Sequence, residues 1–258
     1  MVYQVNSNVA ALNVYNNLGV HQAKSAAALA RISSGLKAAG GGDVASQGTA
    51  ATINASLQAT QSNISQVQSA INQLQVADTA YGELIALGQK GLEVASRGAD
   101  AGADFSAINA QAVALKAGIT SIQTNTQYNA AVFTTASAPD VGVAALTVTP
   151  TVAAAPTLTA AITDAATAAT AATDFTTYIS ATVDIRATNA GRLASLQNTL
   201  QVLNSVAANE VAGISQAQDT DIAKEMMNLT SANIMTEAAT AMLAQAMQLP
   251  NAVLRLVQ

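Results

Sequence analysis

Between Leu57 and Leu92 a set of positions follows in alternating steps of three and four: Leu57, Thr60, Ile64, Val67, Ile71, Leu74, Asp78, Tyr81, Ile85, Gly88 and Leu92. That is about five heptads of an a/d seam, and a seam of that length requires a long helix lying against another helix. At about 1.5 Å per residue, residues 44–95 would extend on the order of 75 Å as a rod. Gly82, Gly88 and Gly91 fall at the far end of the seam and are expected to weaken it.

Two more seams answer the first. Ile108, Ala112, Leu115, Ile119 and Ile122 make one, and Leu193, Leu196, Leu200, Leu203, Ala207 and Ile214 make the other. The stretch "RGADAGAD" (97–104) reads as the turn before the second helix, with Asp104 as its N-cap. "AGGGDVAS" (39–46) reads as a flexible break, with Asp43 capping the next helix. No Lys-Ser or Lys-Thr follows those glycines, so they form no phosphate-cradling loop. The expected fold is mainly α: a long antiparallel coiled-coil rod, with paired terminal helices and a small β-hairpin region in the middle.

The middle changes texture. Pro139, Pro150 and Pro156 fall close together, and "VGVAALTVT" (141–149) has β propensity. Residues 128–159 are therefore expected to hold one or two short hairpins. The Ala/Thr run at 159–173 fits a helix or a loop equally. No basic residue lies between Lys116 and Arg186, whereas Asp140, Asp164, Asp174 and Asp184 do, so this acidic stretch is expected to face solvent.

Half the residues are hydrophobic, but only 3% are aromatic and none is Trp, as suits thin helices packed closely. No residue from Val44 to Ala77 is charged, and the net charge of −5 offers no basic stripe for nucleic acid. There is no Cys, hence no disulfide or thiolate chemistry. The first residues lack the basic and apolar regions of a classical signal peptide, and no apolar run reaches the roughly 18 residues of a membrane span, so no membrane insertion is expected. His21 is the sole histidine, expected to pack or face solvent rather than act as a base, and no Asp/Glu cluster has histidine partners for a transition metal. No enzyme activity, metal or cofactor is expected. The sequons at Asn54, Asn63 and Asn228 fall inside helical segments and are expected to stay unglycosylated.

The two ends carry opposite charge. Residues 1–42 hold Lys24, Arg31 and Lys37 and no acid, while residues 219–258 hold Asp219, Asp221, Glu225 and Glu237 against Lys224 and Arg255. Both have helical apolar spacing, with Val5, Val9 and Leu12 early and Ile222, Met226 and Leu229 late. The arms are expected to pair, since short isolated helices are marginal in water. Methionines 226, 227, 235, 242 and 247 are expected to be adaptable core filler at a helix interface. The last residues, "AMLAQAMQLPNAVLRLVQ" (241–258), are too apolar for a frayed terminus and are expected to be covered by something outside the chain.

Specific stretches resemble a known family. "RISSGLKAAGGGDVA" (31–45) resembles the Arg-Leu-Ser-Ser-Gly-Leu segment of bacterial flagellins, although the usual Lys-Asp-Asp triplet does not follow. "NTQYNA" (125–130) is similar to their Thr-Gln-Phe-Asn-Gly segment, and residues 219–258 are similar along their whole length to the flagellin carboxy terminus. The resemblance implies a secreted subunit, exported unfolded by a type III apparatus with its export chaperone, that polymerises with itself into the extracellular flagellar filament. Its partners would be copies of itself, the filament cap and hook-junction proteins. It also implies an inner core domain of residues 1–42 with 219–258, a helical rod domain of 43–135 with 174–218, and a variable surface segment at 136–173. Expected self-assembly residues are Val5, Val9, Leu12, Leu29, Ile32, Leu36, Ile222, Met226, Leu229, Ile234, Leu243, Leu249, Leu254 and Leu256, with small residues Ala232, Ala238, Ala241 and Ala246 letting subunits approach closely. A hook–filament junction protein, or another secreted coiled-coil protein, is the alternative.

One departure from the family stands out. Many flagellins carry Gln-Arg-Val-Arg-Glu-Leu-Ala on the first rod helix, a surface read by an animal innate immune receptor. The matching stretch is "QKGLEVA" (89–95), so Leu92 stands at the position of the central arginine, and its seam register predicts that it packs inward.

Overall fold

The computed structural model describes residues 8–128, 131–132, 154–156 and 161–257, with Tyr128, Ala131, Val132 and residues 249–257 described for the backbone alone. Its helices are α1 (Val9–Ser34), α2 (Val44–Ser96), α3 (Phe105–Asn125), α4 (Ala165–Gln218) and α5 (Ile222–Val257), with a short 3-10 turn at Arg97–Ala99. Strands β1 (Gln127–Tyr128) and β2 (Ala131–Val132) form one minimal antiparallel pair, Gln127 opposite Val132. The hairpins expected over 128–159, including the 141–149 run, lie almost wholly outside the described residues. The described residues divide into two compact units, residues 8–58 with 208–257 and residues 59–207.

In the second unit, α2 and α4 run antiparallel and α3 packs beside them. The seam residues turn inward: Thr60, Val67, Leu74 and Tyr81 of α2, Ile108, Ala112 and Ile119 of α3, and Leu196 of α4 are all buried. Val67, Ala70, Leu74 and Leu196 form one cluster, flanked by Ile71, Leu193, Leu200 and Leu203. A larger cluster gathers Tyr81, Leu84, Ile119, Phe175 and Tyr178. Each such side chain contributes about 1.5–3 kcal/mol by leaving water. The exposed ion pair of Asp78 with Arg186, at 2.7 Å, contributes under about 1 kcal/mol by comparison. Burial of apolar seams holds this unit together.

The buried tyrosine hydroxyls inside the unit are partnered. Asn189 Nδ2 donates to Tyr81 Oη at 3.0 Å, and Gln123 Nε2 donates to Tyr178 Oη at 3.3 Å. Burial raises the pKa of both phenols. The caps follow the residue chemistry: Asp104 Oδ1 accepts from Ala107 N at 3.1 Å, and Asp43 Oδ1 from Ser46 N at 3.1 Å.

Three features add to the sequence reading. Gly88 and Gly91 of α2 are contact points, because the Tyr178–Ile179 pair and Phe175 occupy the space that their side chains would need. The Ala/Thr run is helical from Ala165, where Asp164 Oδ1 accepts from Thr167 N at 2.8 Å, and Ala168 and Ala171 are buried, as is Ile162 before them. Its Thr residues satisfy their hydroxyls on the preceding turn, as Thr170 does on Ala166 O, so the alanines alone face the core. The Gly-rich break is a defined turn, with Gly40 and Gly41 at φ of 68° and 79° and Gly40 packed against Ala27.

Candidate functional site

The first unit contains α1, the start of α2, the end of α4, and α5. Asn8 caps α1 by accepting from Ala11 N, and α1 ends at Gly35, whose φ of 73° suits a residue without Cβ. There the chain bridges to its other end: Leu36 pairs with Asp219, and Thr220 N donates to Gly35 O at 2.8 Å. Asp221 Oδ1 then caps α5 by accepting from Lys224 N. These joints set α1 and α5 side by side and antiparallel.

Their shared seam interleaves small residues with larger ones. The less exposed positions of α1 run Ala11, Val14, Leu18, His21, Ser25, Ala28 and Ile32. Those of α5 run Glu225, Leu229, Ala232, Thr236, Ala239, Leu243 and Ala246. Both sets alternate steps of three and four, which is the spacing of two helices in continuous contact. Polar bonds fasten the pair along its length: Arg31 to Glu225 at 3.0 Å, Ser25 Oγ to Asn233 Oδ1 at 2.8 Å, and Asn8 Nδ2 to Ala246 O at 2.7 Å. The Arg31 guanidinium holds the Glu225 carboxyl below its ordinary pKa by hydrogen bonding.

Many other large apolar side chains stay outside this seam. Val9 and Leu12 are each 59% exposed, and Tyr15, Val20 and Leu29 are exposed too. On α5, Ile222, Met226, Met227, Ile234, Met235, Met242 and Met247 are exposed. Two shallow apolar hollows result, one lined by Met226, Met227, Ile234 and Met235, the other by Val9, Leu12, Tyr15, Leu243 and Met247. The methionines are therefore surface residues, not the core filler that their flexibility suggested. Ala232 and Ala246 are buried on α5's α1-facing stripe, within one chain, whereas Ala238 and Ala241 are exposed.

The expected assembly residues thus fall into separate groups. Val9, Leu12, Leu29, Ile222, Met226 and Ile234 are exposed, while Ile32, Leu36, Leu229 and Leu243 are half-buried. Val5 lies outside the described residues, and Leu249, Leu254 and Leu256 lie on α5 beyond the described side chains. Sequence reasoning did not single out Tyr15 or Val20. Once the seam is assigned to the α1–α5 contact, the bulky residues left over mark this surface. In the other unit, Leu92 is half-buried against the larger cluster.

Among the described residues no group of three His, Asp or Glu is placed to hold a metal ion. No helix among them is long and apolar enough to cross a membrane.

Two family profiles match the chain in order. The bacterial flagellin N-terminal helical region matches residues 5–133, and the bacterial flagellin C-terminal helical region matches residues 179–257. The chain belongs to the bacterial flagellin family.

Similar flagellins include one from Halalkalibacterium halodurans, 42% identical over 80 residues, which is 29% of this chain and 29% of that protein. Flagellin A of Vibrio cholerae is 38% identical over 73 residues, 28% of this chain and 19% of the relative. A flagellin of Bacillus subtilis is 40% identical over 76 residues, 28% and 25% of the two chains. The aligned stretches span less than a third of each of these relatives. The two flagellin profiles cover α1 to α3 and most of α4 with α5, so family likeness and helical structure coincide.

Proposed function

We infer that this chain is a structural subunit that polymerises with copies of itself into the bacterial flagellar filament. The observation that carries the reading is the division of labour on α1 and α5. One stripe on each is used up by pairing within the chain, and a second set of large apolar residues is left uncovered. Family membership says what kind of neighbour would cover it. Residues 1–42 with 219–258 would form the inner core of the filament, residues 43–135 with 174–218 the helical domain around it, and 136–173 the variable surface, except where Ile162, Ala168 and Ala171 are buried in the helical unit. The protein would be secreted to the extracellular flagellum, with cap, hook-junction and export proteins as transient partners. Membership of the flagellin family supports a structural role.

Adding filament fragments to purified protein tests this. Light scattering should rise in proportion to the number of fragment ends, whereas a hook–filament junction protein would cap them and stop growth.

A further inference from the structure

We propose that the exposed methionines of α5 form a reversible oxidation site that governs self-association. The inference deepens the filament-subunit reading and rests on it. The chain has six methionines and no cysteine, and all except Met1 lie between residues 226 and 247. Those five are 47–67% exposed. Three of them, Met226, Met227 and Met235, line one hollow with Ile234. None occupies a position of the α1–α5 seam, which runs through Glu225, Leu229, Ala232, Thr236, Ala239, Leu243 and Ala246. A chemical change at the thioethers of Met226, Met227 and Met242 therefore leaves the seam positions untouched and alters the surface that a second copy would cover.

The chemistry is oxygen transfer from a peroxide. The sulfur lone pair attacks one peroxide oxygen and the O–O bond breaks. An S–O bond forms, and the other oxygen leaves as water. Sulfur is oxidised by two electrons and the peroxide is reduced by two. The product is a polar sulfoxide where an apolar, flexible side chain stood, and sulfoxide reductases return it to the thioether. With no thiol in the chain to compete, the exposed thioethers are the softest nucleophiles the protein offers.

The test treats purified monomer and fragment-grown filaments with the same dose of hydrogen peroxide. Mass spectrometry of peptides counts added oxygens per methionine, and light scattering follows elongation from fragments. Monomer carrying sulfoxides at these positions should elongate about tenfold more slowly or worse, as expected when a polar group is buried without a partner. Circular dichroism of that monomer should be unchanged, and treatment with methionine sulfoxide reductases should restore elongation. Methionines in the grown filaments should oxidise more slowly than in monomer. In the variant carrying Met226→Leu, Met227→Leu, Met235→Leu, Met242→Leu and Met247→Leu, elongation should proceed at one rate before and after peroxide, since no thioether remains on α5 to oxidise. Normal elongation by fully oxidised monomer, equal oxidation rates in monomer and filament, or a peroxide effect that survives in the leucine variant would each overturn the proposal. Failure of untreated protein to elongate would instead remove the filament reading beneath it.

Discussion

The ring of Phe175 stands where a side chain on Gly91 would have to go: a Cβ on Gly91 would lie 2.3 Å from Cε1 of that ring. Phe175 is fully buried, so the ring has no free space to move into. Gly91→Ala gains helix propensity but must displace a core aromatic, and a net loss of about 1–3 kcal/mol is expected. Gly82 lies on the same helix with nothing within 4 Å of a built Cβ. Gly82→Ala should therefore stabilise by up to about 1 kcal/mol. Thermal unfolding of the two variants, followed by circular dichroism, should shift in opposite directions; a shared sign would contradict the packing described.

The Arg31–Glu225 pair should make the α1–α5 contact sensitive to acid. Glu225 is held below its ordinary value of 4.5, chiefly by its hydrogen bond from Arg31. A depressed folded-state pKa adds stability that is fully present above the unfolded value and disappears as pH falls through the folded one. Amide exchange of α1 and α5 should thus speed up below about pH 4.5. Glu225→Gln should lose on the order of 1 kcal/mol of protection near neutral pH and flatten that dependence. An unchanged acid profile in the variant would assign the effect elsewhere.

Asp78→Asn should behave differently from Glu225→Gln. The Asp78 and Arg186 side chains are 45–47% exposed, so solvent screens their pair. The expected loss is under about 1 kcal/mol, shrinking further as salt is added. Denaturant midpoints at low and high ionic strength measure it, and a large salt-independent loss would contradict the screened geometry.

Receptor recognition offers a fourth expectation. The flagellin resemblance places Leu92 where many relatives carry a central arginine, and Leu92 is half-buried against the cluster of Tyr81, Leu84 and Phe175. An arginine at a binding hot spot supplies charge-assisted bonds whose loss typically costs about 2 kcal/mol or more. Purified monomer should therefore stimulate that innate receptor weakly in a reporter-cell assay. Strong activation at the concentrations effective for arginine-bearing flagellins would refute this.

How much was legible in the sequence depended on the contrast between neighbouring residues. The seams through Val67, Leu74, Ile119 and Leu196 were readable because large apolar residues recur among Gln, Ser and Asn. The caps at Asp43 and Asp104 were readable because short acidic side chains follow Gly-rich turns. The α1–α5 seam was not, because Ala28, Ala232, Ala239 and Ala246 carry little apolar contrast, and the eye goes to Val9, Leu12 and Met226 on the other faces. The role of Gly91 was hidden for a different reason. What it accommodates, Phe175, lies far along the chain, and a glycine shows no sign of its partner. The helix from Ala165 was obscured because its Ala-Ala-Thr triplets repeat every three residues with little apolar contrast, and the buried Ala168 and Ala171 settle its inner face.

The most direct measurement of the central claim is filament length by electron microscopy after seeding with fragments. Three proteins should be compared: the unaltered chain, Leu12→Asp with Ile234→Asp on the exposed faces, and Leu200→Met in the core of the other unit. The unaltered chain and Leu200→Met should extend every fragment, while the double variant should stay helical by circular dichroism and leave fragments at their starting length. Equal growth by all three would contradict the assignment of the exposed α1 and α5 faces to the subunit contact.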